Sequence, residues 1–182
     1  MNYEEYINEG INARKNIDIK KINKIALDII NTFKNNGKLI VFGNGGSAAD
    51  SQHFVAELTG HFIKERKPLP AIALTTNTSS LTAIGNDYSY DDIFSRQIQA
   101  LCNKNDYTIG ISTSGNSKNV INGIIEAKKI GSYTLGMSGG NGGKLKDICD
   151  DLFLADSDKT SIIQETHITA IHMICYIIDE YY

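Results

Sequence analysis

The stretch FGNGGSAADSQHFVAE, residues 42–57, joins a predicted strand to a predicted helix through a glycine-rich turn. The strand, LIVFG at Leu39–Gly43, is a continuous apolar run, which is typical of a strand buried on both faces of a sheet. Beyond the turn the pattern becomes helical, and His53 and Glu57 fall four residues apart on one helical face. A buried strand that leads through a polar turn into a helix predicts an α/β domain.

Short apolar runs and helical patterns alternate along the rest of the chain. The further predicted strands are AIALTT, YTIGIST, YTLGMSG and LFLA, at residues 71–76, 107–113, 133–139 and 152–155. The predicted helices cover residues 48–60, 91–102 and 117–130, a short segment near Lys144, and residues 161–182. This alternation predicts a three-layer α/β/α domain around a central, mostly parallel five-stranded sheet.

A helical region precedes the first strand. The 182 residues suffice for one domain, which we divide into a helical region at residues 1–36 and an α/β core at residues 37–182. Apolar residues from Ile22 to Phe33 recur at helical spacing, and we expect a break near Gly10. Because the region does not connect two strands, it packs against a partner subunit, across the sheet, or as an ordinary core helix. The pattern favours none of these.

Composition and charge exclude several classes of function. The net charge is −3 and no basic stripe with interleaved aromatics exists, which argues against a nucleic-acid partner. No apolar run reaches about 18 residues, so no membrane partner is expected. The polar start MNYEEYINEG is unlike a signal peptide, and the three widely spaced cysteines fit reduced thiols. We therefore expect a cytoplasmic protein.

Three polar turns follow predicted strands: GNGGS at residues 43–47, STSGNS at 112–117 and MSGGNGG at 137–143. In open parallel sheets, ligands bind at the carboxyl ends of the strands, where such turns gather. The first turn fits the dinucleotide pattern G-x-G-x-x-G/A. However, the next strand ends in Thr75 and Thr76, with no acidic residue to bind a ribose, so we do not expect NAD.

The second turn, STSGNS, is rich in hydroxyl groups. Glycine allows the backbone to approach an anion, and the helix that follows directs free N–H groups toward it. A helix N-cap would need one hydroxyl, whereas this turn has four within six residues. The turn therefore predicts a cradle for one phosphate group, formed by Ser112, Thr113, Ser114 and Ser117.

A second candidate site involves histidines. His53 and Glu57 share a helical face, but such a pair is commonly a surface hydrogen bond. In the C-terminal segment SIIQETHITAIHM, Gln164 and His172 share a face of another helix, about 12 Å apart along its axis. From the residues alone, nothing combines these two helices into one site.

Four motifs together resemble those of the sugar-isomerase (SIS) domain family: GNGGSAADSQHFVAEL, GNDYSYDDIFSRQ, GISTSGNSKNV and IQETHITAIH. Within it, they are most similar to the phosphoheptose isomerases, and the resemblance covers almost the whole chain. It implies an aldose–ketose isomerase that converts sedoheptulose 7-phosphate to D-glycero-D-manno-heptose 7-phosphate, the first step of nucleotide-activated heptose biosynthesis. It also implies a homotetramer with active sites between subunits.

The resemblance further implies roles for individual residues. Zn²⁺, one ion per subunit, would be bound by His53, Glu57, Gln164 and His172. In an enediol mechanism, Glu57 would transfer the carbon proton and His172 the oxygen proton. The implied substrate-binding residues are Asn44, Gly45, Gly46, Glu57, Asn86, Asp87, Ser112, Thr113, Ser114, Ser117 and Gln164, with Asn86 and Asp87 in a turn.

Some features leave alternatives open. Thr160 and Ser161 stand where the family can have an acidic residue, although Asp158 is near. His167 is interpreted as a structural residue or as one that supports the ligands from behind. The chain could isomerise another ketose phosphate, or it could be a non-catalytic binding or regulatory member of the family. The complete set of four implied zinc ligands favours an enzyme.

Overall fold

Five parallel strands form the centre of the computed structural model, which describes residues 2–182. The strands are β1 (Leu39–Gly43), β2 (Ala71–Ala73), β3 (Tyr107–Ile111), β4 (Tyr133–Gly139) and β5 (Asp151–Ala155), in the order β2-β1-β3-β4-β5. The helices are α1 (Tyr3–Lys15), α2 (Ile19–Lys34), α3 (Gly46–Thr59), α4 (Thr78–Asp87), α5 (Ser95–Leu101), α6 (Lys118–Ile130), α7 (Leu145–Ile148) and α8 (Thr160–Tyr181). The predicted α/β/α class is confirmed, and all four strand pairings are parallel.

Two apolar cores cover the two faces of the sheet. Successive strand side chains point to opposite faces, so Val41 enters one core and Phe42 the other. The first core packs the sheet against α2, α3 and α8. The second packs it against α5, α6 and α7, and Phe42 stacks on Phe94 there with ring centroids 4.9 Å apart. Both helices that carry the predicted zinc ligands, α3 and α8, therefore lie on the same face of the sheet.

The N-terminal region forms two helices, and the predicted break near Gly10 is wrong. Gly10 lies inside α1, and the chain breaks at residues 16–18 instead. There the Asp18 carboxylate accepts the backbone N–H groups of Lys20 and Lys21, which fixes the start of α2. Five residues of α2 are buried in the first core, so α2 is a core-packing helix: Ile22, Ile25, Ala26, Ile29 and Ile30.

The first helix, α1, packs on α8 through polar contacts. The Tyr6 hydroxyl and the Arg14 guanidinium donate to the Glu165 carboxylate at 3.1 and 2.8 Å. Gly10 permits this approach, since an added Cβ would lie 3.0 Å from Glu165 Oε2. Side chains of α1 at four-residue spacing remain exposed on another face: Tyr3, Ile7 and Ile11.

The segment between β2 and β3 differs most from expectation. The strand predicted to end at residue 76 ends at Ala73, and α4 follows it without having been predicted. No residue of α4 is fully buried, and only Leu81 and Ile84 pack against the second core, so the helix leaves too short an apolar pattern in the sequence to be predicted. Asn86 and Asp87, expected in a turn, form the end of α4. The helix predicted from residue 91 instead begins as a 3-10 turn at Tyr90–Asp92.

The last helix, α8, contains a fully buried histidine. His167 is 0% exposed, and its Nε2 donates to the Ser138 carbonyl oxygen at 3.0 Å, so its interpretation as structural agrees with its position. Burial, only partly offset by this bond, lowers the pKa of His167 to about 4. Among the described residues, no helix combines the length and apolar character needed to cross a membrane.

The buried state of His167 predicts a loss of stability in acid. Its folded-state pKa of about 4 lies below the ordinary value of 6.5, so its contribution is complete above pH 6.5 and is lost as the pH falls to about 4. The full difference corresponds to about 3 kcal/mol. Urea unfolding of the metal-free protein at pH 7 and pH 4.5 measures it. His167→Gln should show a smaller change between the two pH values, and an identical change in both proteins would contradict the assignment.

Candidate functional site

The turns after β1 and β3 lie side by side at the carboxyl edge of the sheet. Gly43 at the end of β1 is in register with Ile111 at the end of β3. Gly45 has φ +55° and directly precedes α3, and a Cβ added to it would meet no atom within 4 Å. The backbone of this turn therefore faces open space, where a ligand can approach it.

A polar network joins the two turns. Asn44 Nδ2 donates to Asn119 Oδ1 at 2.8 Å, and Asn119 Nδ2 donates back to Asn44 Oδ1 at 2.9 Å. The Tyr90 hydroxyl also donates to Asn44 Oδ1, at 3.0 Å. These bonds occupy the side chain of Asn44, so the structure gives this predicted substrate residue a role in fixing the turn. Sequence reasoning missed Asn119 and Tyr90.

The serine hydroxyls of the hydroxyl-rich turn lie close together at the start of α6. Ser112 Oγ and Ser117 Oγ lie 3.0 Å apart, and the Asn116 N–H donates to Ser114 Oγ at 3.2 Å. Ser117 directly precedes α6 without capping it, so its hydroxyl is free of that task. The start of a 13-residue helix favours an anion, which supports the predicted phosphate cradle.

Two cavities flank this edge. One of 260 Å³ lies between Thr113, Ser114 and Asp158, together with the turn after β4. Another, of 660 Å³, is lined by α1 and by Thr160, Ser161 and Gln164 of α8. Asp158, the acidic residue near the start of α8, thus lines the same cavity as the hydroxyl-rich turn. Thr160 and Ser161 line the second cavity instead.

Three of the four predicted zinc ligands come together between α3 and α8. His53 Nε2 lies 2.8 Å from Glu57 Oε1 and 3.3 Å from His172 Nε2, and all three ligand atoms lie within 4.8 Å of one another. Tetrahedral zinc ligands at 2.0–2.1 Å from the ion lie about 3.3 Å from each other. Two imidazoles and one carboxylate at this spacing fit a zinc ion.

Gln164, the fourth predicted zinc ligand, lies away from the other three. A Cβ added to Gly46 would lie 2.5 Å from Gln164 Nε2, so the amide rests against the start of α3. Gln164 precedes His172 by eight residues on the same helix, or about 12 Å along its axis. Its role as a ligand stays a prediction. Asn86 and Asp87, for their part, are exposed and bonded to each other at 2.8 Å.

The electrostatics of the His–Glu–His cluster depend on burial. Burial and the neighbouring His53 lower the pKa of His172, while Glu57 opposes this effect. Asp50, one turn before His53, has a buried Oδ2 with no hydrogen-bond partner, and burial raises its pKa to about 6 against the influence of His53. Sequence reasoning missed Asp50, although its position three residues before a candidate ligand is the signal that could have identified it.

Comparisons with known proteins identify the family of this chain. The SIS domain family matches residues 2–139. A protein of Thermoplasma volcanium named "Probable phosphoheptose isomerase" is 61% identical over 182 residues, which cover 100% of this chain and 93% of that protein. The phosphoheptose isomerase of Aliarcobacter butzleri is 55% identical over 161 residues, covering 88% of this chain and 84% of the other.

Among solved structures, the chain is also similar to a phosphoheptose isomerase. The phosphoheptose isomerase GmhA of Neisseria gonorrhoeae has a TM-score of 0.89 and 41% identity, covering 98% of this chain and 95% of that one. The matches to the Thermoplasma volcanium and Neisseria gonorrhoeae proteins cover almost the whole chain, whereas the SIS match ends before β5 and α8. The chain therefore belongs to the SIS domain family and, within it, to the phosphoheptose isomerases.

Proposed function

We propose that the protein converts sedoheptulose 7-phosphate to D-glycero-D-manno-heptose 7-phosphate. One observation carries the proposal: His53, Glu57 and His172 converge between α3 and α8 in a chain 61% identical to a protein named as a probable phosphoheptose isomerase. The hydroxyl-rich turn at the start of α6 supplies the means to hold a phosphate at the carboxyl edge of the same sheet.

The proposed reaction moves two protons. Glu57 Oε1 faces His53, which leaves Oε2 to take the proton from C1 of the ketose and return it to C2 of the enediol. His172 carries the second proton between the two oxygens: its Nε2 faces His53, so its Nδ1 would donate a proton to O2 and regain one from O1. When bound by His53, Glu57 and His172, Zn²⁺ would supply Lewis acidity toward the substrate carbonyl.

The assembly is also part of the proposal. His172 reaches His53 and Glu57 within one chain, so a second subunit is not needed to bring the three together. However, the cluster lies near the surface, with the His53 side chain 43% exposed. The apolar side chains on the free face of α1 suit packing against another copy. We therefore propose a cytoplasmic homotetramer in which a neighbouring subunit covers each site.

Activity should depend on metal. Incubation of the protein with sedoheptulose 7-phosphate should yield the aldose, and a chelator should abolish the reaction because the His–Glu–His cluster then lacks its ion. Added Zn²⁺ should restore it, with one ion per chain by elemental analysis. If the zinc-loaded protein produced no aldose, the proposed substrate would be wrong.

Replacing the proposed base should stop catalysis but spare binding. We expect Glu57→Gln to lower kcat by about 10²–10⁴-fold, the usual contribution of a positioned base. Titration should show little change in affinity for the phosphosugar, since the phosphate contacts remain. The control is Glu126→Gln, which removes a carboxylate of α6 that is paired with the exposed Lys129. Unchanged turnover in Glu57→Gln would rule out the assigned role, provided its zinc content matches the wild type.

Replacing the hydroxyls of the cradle should do the reverse. Ser114→Ala and Ser117→Ala each remove a donor to the phosphate, and we expect KM to rise about 5-fold or more, at about 1 kcal/mol per lost hydrogen bond. The kcat should change much less, because the reacting carbons lie at the other end of the sugar. Thr82→Ala on α4, whose hydroxyl bonds only to its own helix, is the control. A normal KM in both serine variants would show that the phosphate binds elsewhere.

A further inference from the structure

A buried ion pair joins α8 to the loop that leads from α3 to β2. Arg66 Nε lies 2.7 Å from Asp179 Oδ1, and the two side chains are only 1% and 2% exposed. Asp179 follows His172 by seven residues on α8, or about 10 Å along the axis. Well-packed apolar residues stabilise a fold as well as a buried ion pair does, so stability alone does not account for these two charges.

Arg66 also binds the end of the helix that carries Glu57. Its Nη2 donates to the Glu57 carbonyl oxygen at 2.7 Å, and its Nη1 donates to the Leu58 carbonyl oxygen at 2.9 Å. Carbonyl groups in the last turn of a helix have no partner within the helix, so the guanidinium supplies one. The backbone of the proposed base is therefore held directly by Arg66.

The opposite partner, Asp179, fixes the loop itself. Its Oδ2 accepts the backbone N–H groups of Ile63 at 2.7 Å and Lys64 at 3.0 Å. Burial opposes ionisation here, but these bonds and the Arg66 guanidinium together lower the pKa of Asp179. Every donor in reach of this carboxylate thus ties residues 60–70 to α8.

The residue before Ile63 contacts the proposed site. The Phe62 ring stacks on the imidazole of His172, with centroids 5.4 Å apart and an interplanar angle of 19°. The His53 ring meets the same imidazole edge-on, with centroids 5.0 Å apart. The His172 ring is therefore held between α3 and a loop residue whose neighbour is fixed by Asp179.

We propose that Arg66, acting with Asp179, is a positioning residue for this site. The pair holds the end of α3 in register with α8, so that Glu57 faces His172, and it fixes the loop so that Phe62 covers the His172 ring. Displacing a reacting group by about 1 Å can cost 10²-fold in rate. The kinetic part of this inference rests on the proposed function, whereas its metal-binding part does not.

The test separates positioning from stability. Arg66→Met leaves Asp179 buried without its partner, so it should lower the melting temperature. The double variant Arg66→Met/Asp179→Leu removes both charges and should regain much of that loss. If the pair positions the site, the double variant should still show a 10–100-fold lower kcat with KM within about 3-fold of the wild type. Its Zn²⁺ affinity, from competition with a chelating dye, should fall 10-fold or more, as for residues that orient ligands.

The chain offers a matched control. Lys64 and Glu180 link the same loop and helix through a 2.8 Å ion pair, but their side chains are 48% and 52% exposed. Lys64→Met/Glu180→Leu should therefore leave melting temperature, kcat and Zn²⁺ affinity unchanged. Arg66→Lys keeps the charge but lacks the planar guanidinium, so it should also lower kcat and Zn²⁺ affinity. It replaces the double variant in the test if the double variant does not fold.

The outcomes are distinguishable from a failure of the proposed function. A folded double variant, or a folded Arg66→Lys, with kcat and Zn²⁺ affinity both within 2-fold of the wild type would overturn the positioning role. If the wild-type protein does not isomerise sedoheptulose 7-phosphate, the proposed function fails, and Zn²⁺ affinity alone decides the inference. A 10-fold weaker affinity in the variant, with the control unchanged, would still support it.

Discussion

The packing of α3 beside α8 is the constraint on which the candidate site depends. Both helices start at the carboxyl edge of the sheet and run back along the same face, so residues at equal depth meet. Gly46 meets Gln164 near the start of the two helices, and His53 meets His172 about two turns further on. The shared apolar core beneath them, which includes Phe54 and Ile171, keeps the two helices in register. The His–Glu–His cluster is thus a consequence of how two helices cover one sheet.

Much of this fold could be predicted from the sequence, and the predictions that were wrong have physical causes. The apolar runs of β1 and β4 matched the observed strands at both ends, because both strands are buried on two faces. The helix α4 was missed because none of its residues is fully buried and only Leu81 and Ile84 pack against the core, which is too short an apolar pattern to indicate a helix. The break before α2 depends on the Asp18 cap, whereas the glycine at which the break was predicted lies inside α1, where it allows close contact with Glu165.

For the site, local spacing identified only what lies on one helix. His53 and Glu57 could be paired because i and i+4 share a helical face. His172 joined them only through family resemblance, since the contact spans 119 residues and no local pattern records it. Phe62, Arg66 and Asp50 act through tertiary contacts and burial, and neither property can be read from a single segment. The glycine-rich turn, which fits a dinucleotide pattern, instead holds Asn44, whose amide is bonded to the amide of Asn119 on α6.

The distance in sequence between the two histidines also has a consequence for synthesis of the protein. When α3 leaves the ribosome, it carries two of the three clustered ligands, and the third follows more than a hundred residues later. Closing so long a loop is entropically costly and is recovered only when the sheet between the two histidines has formed. A nascent chain can therefore bind a metal ion only weakly, through the two ligands of α3. Metal loading is consequently expected only after α8 has docked.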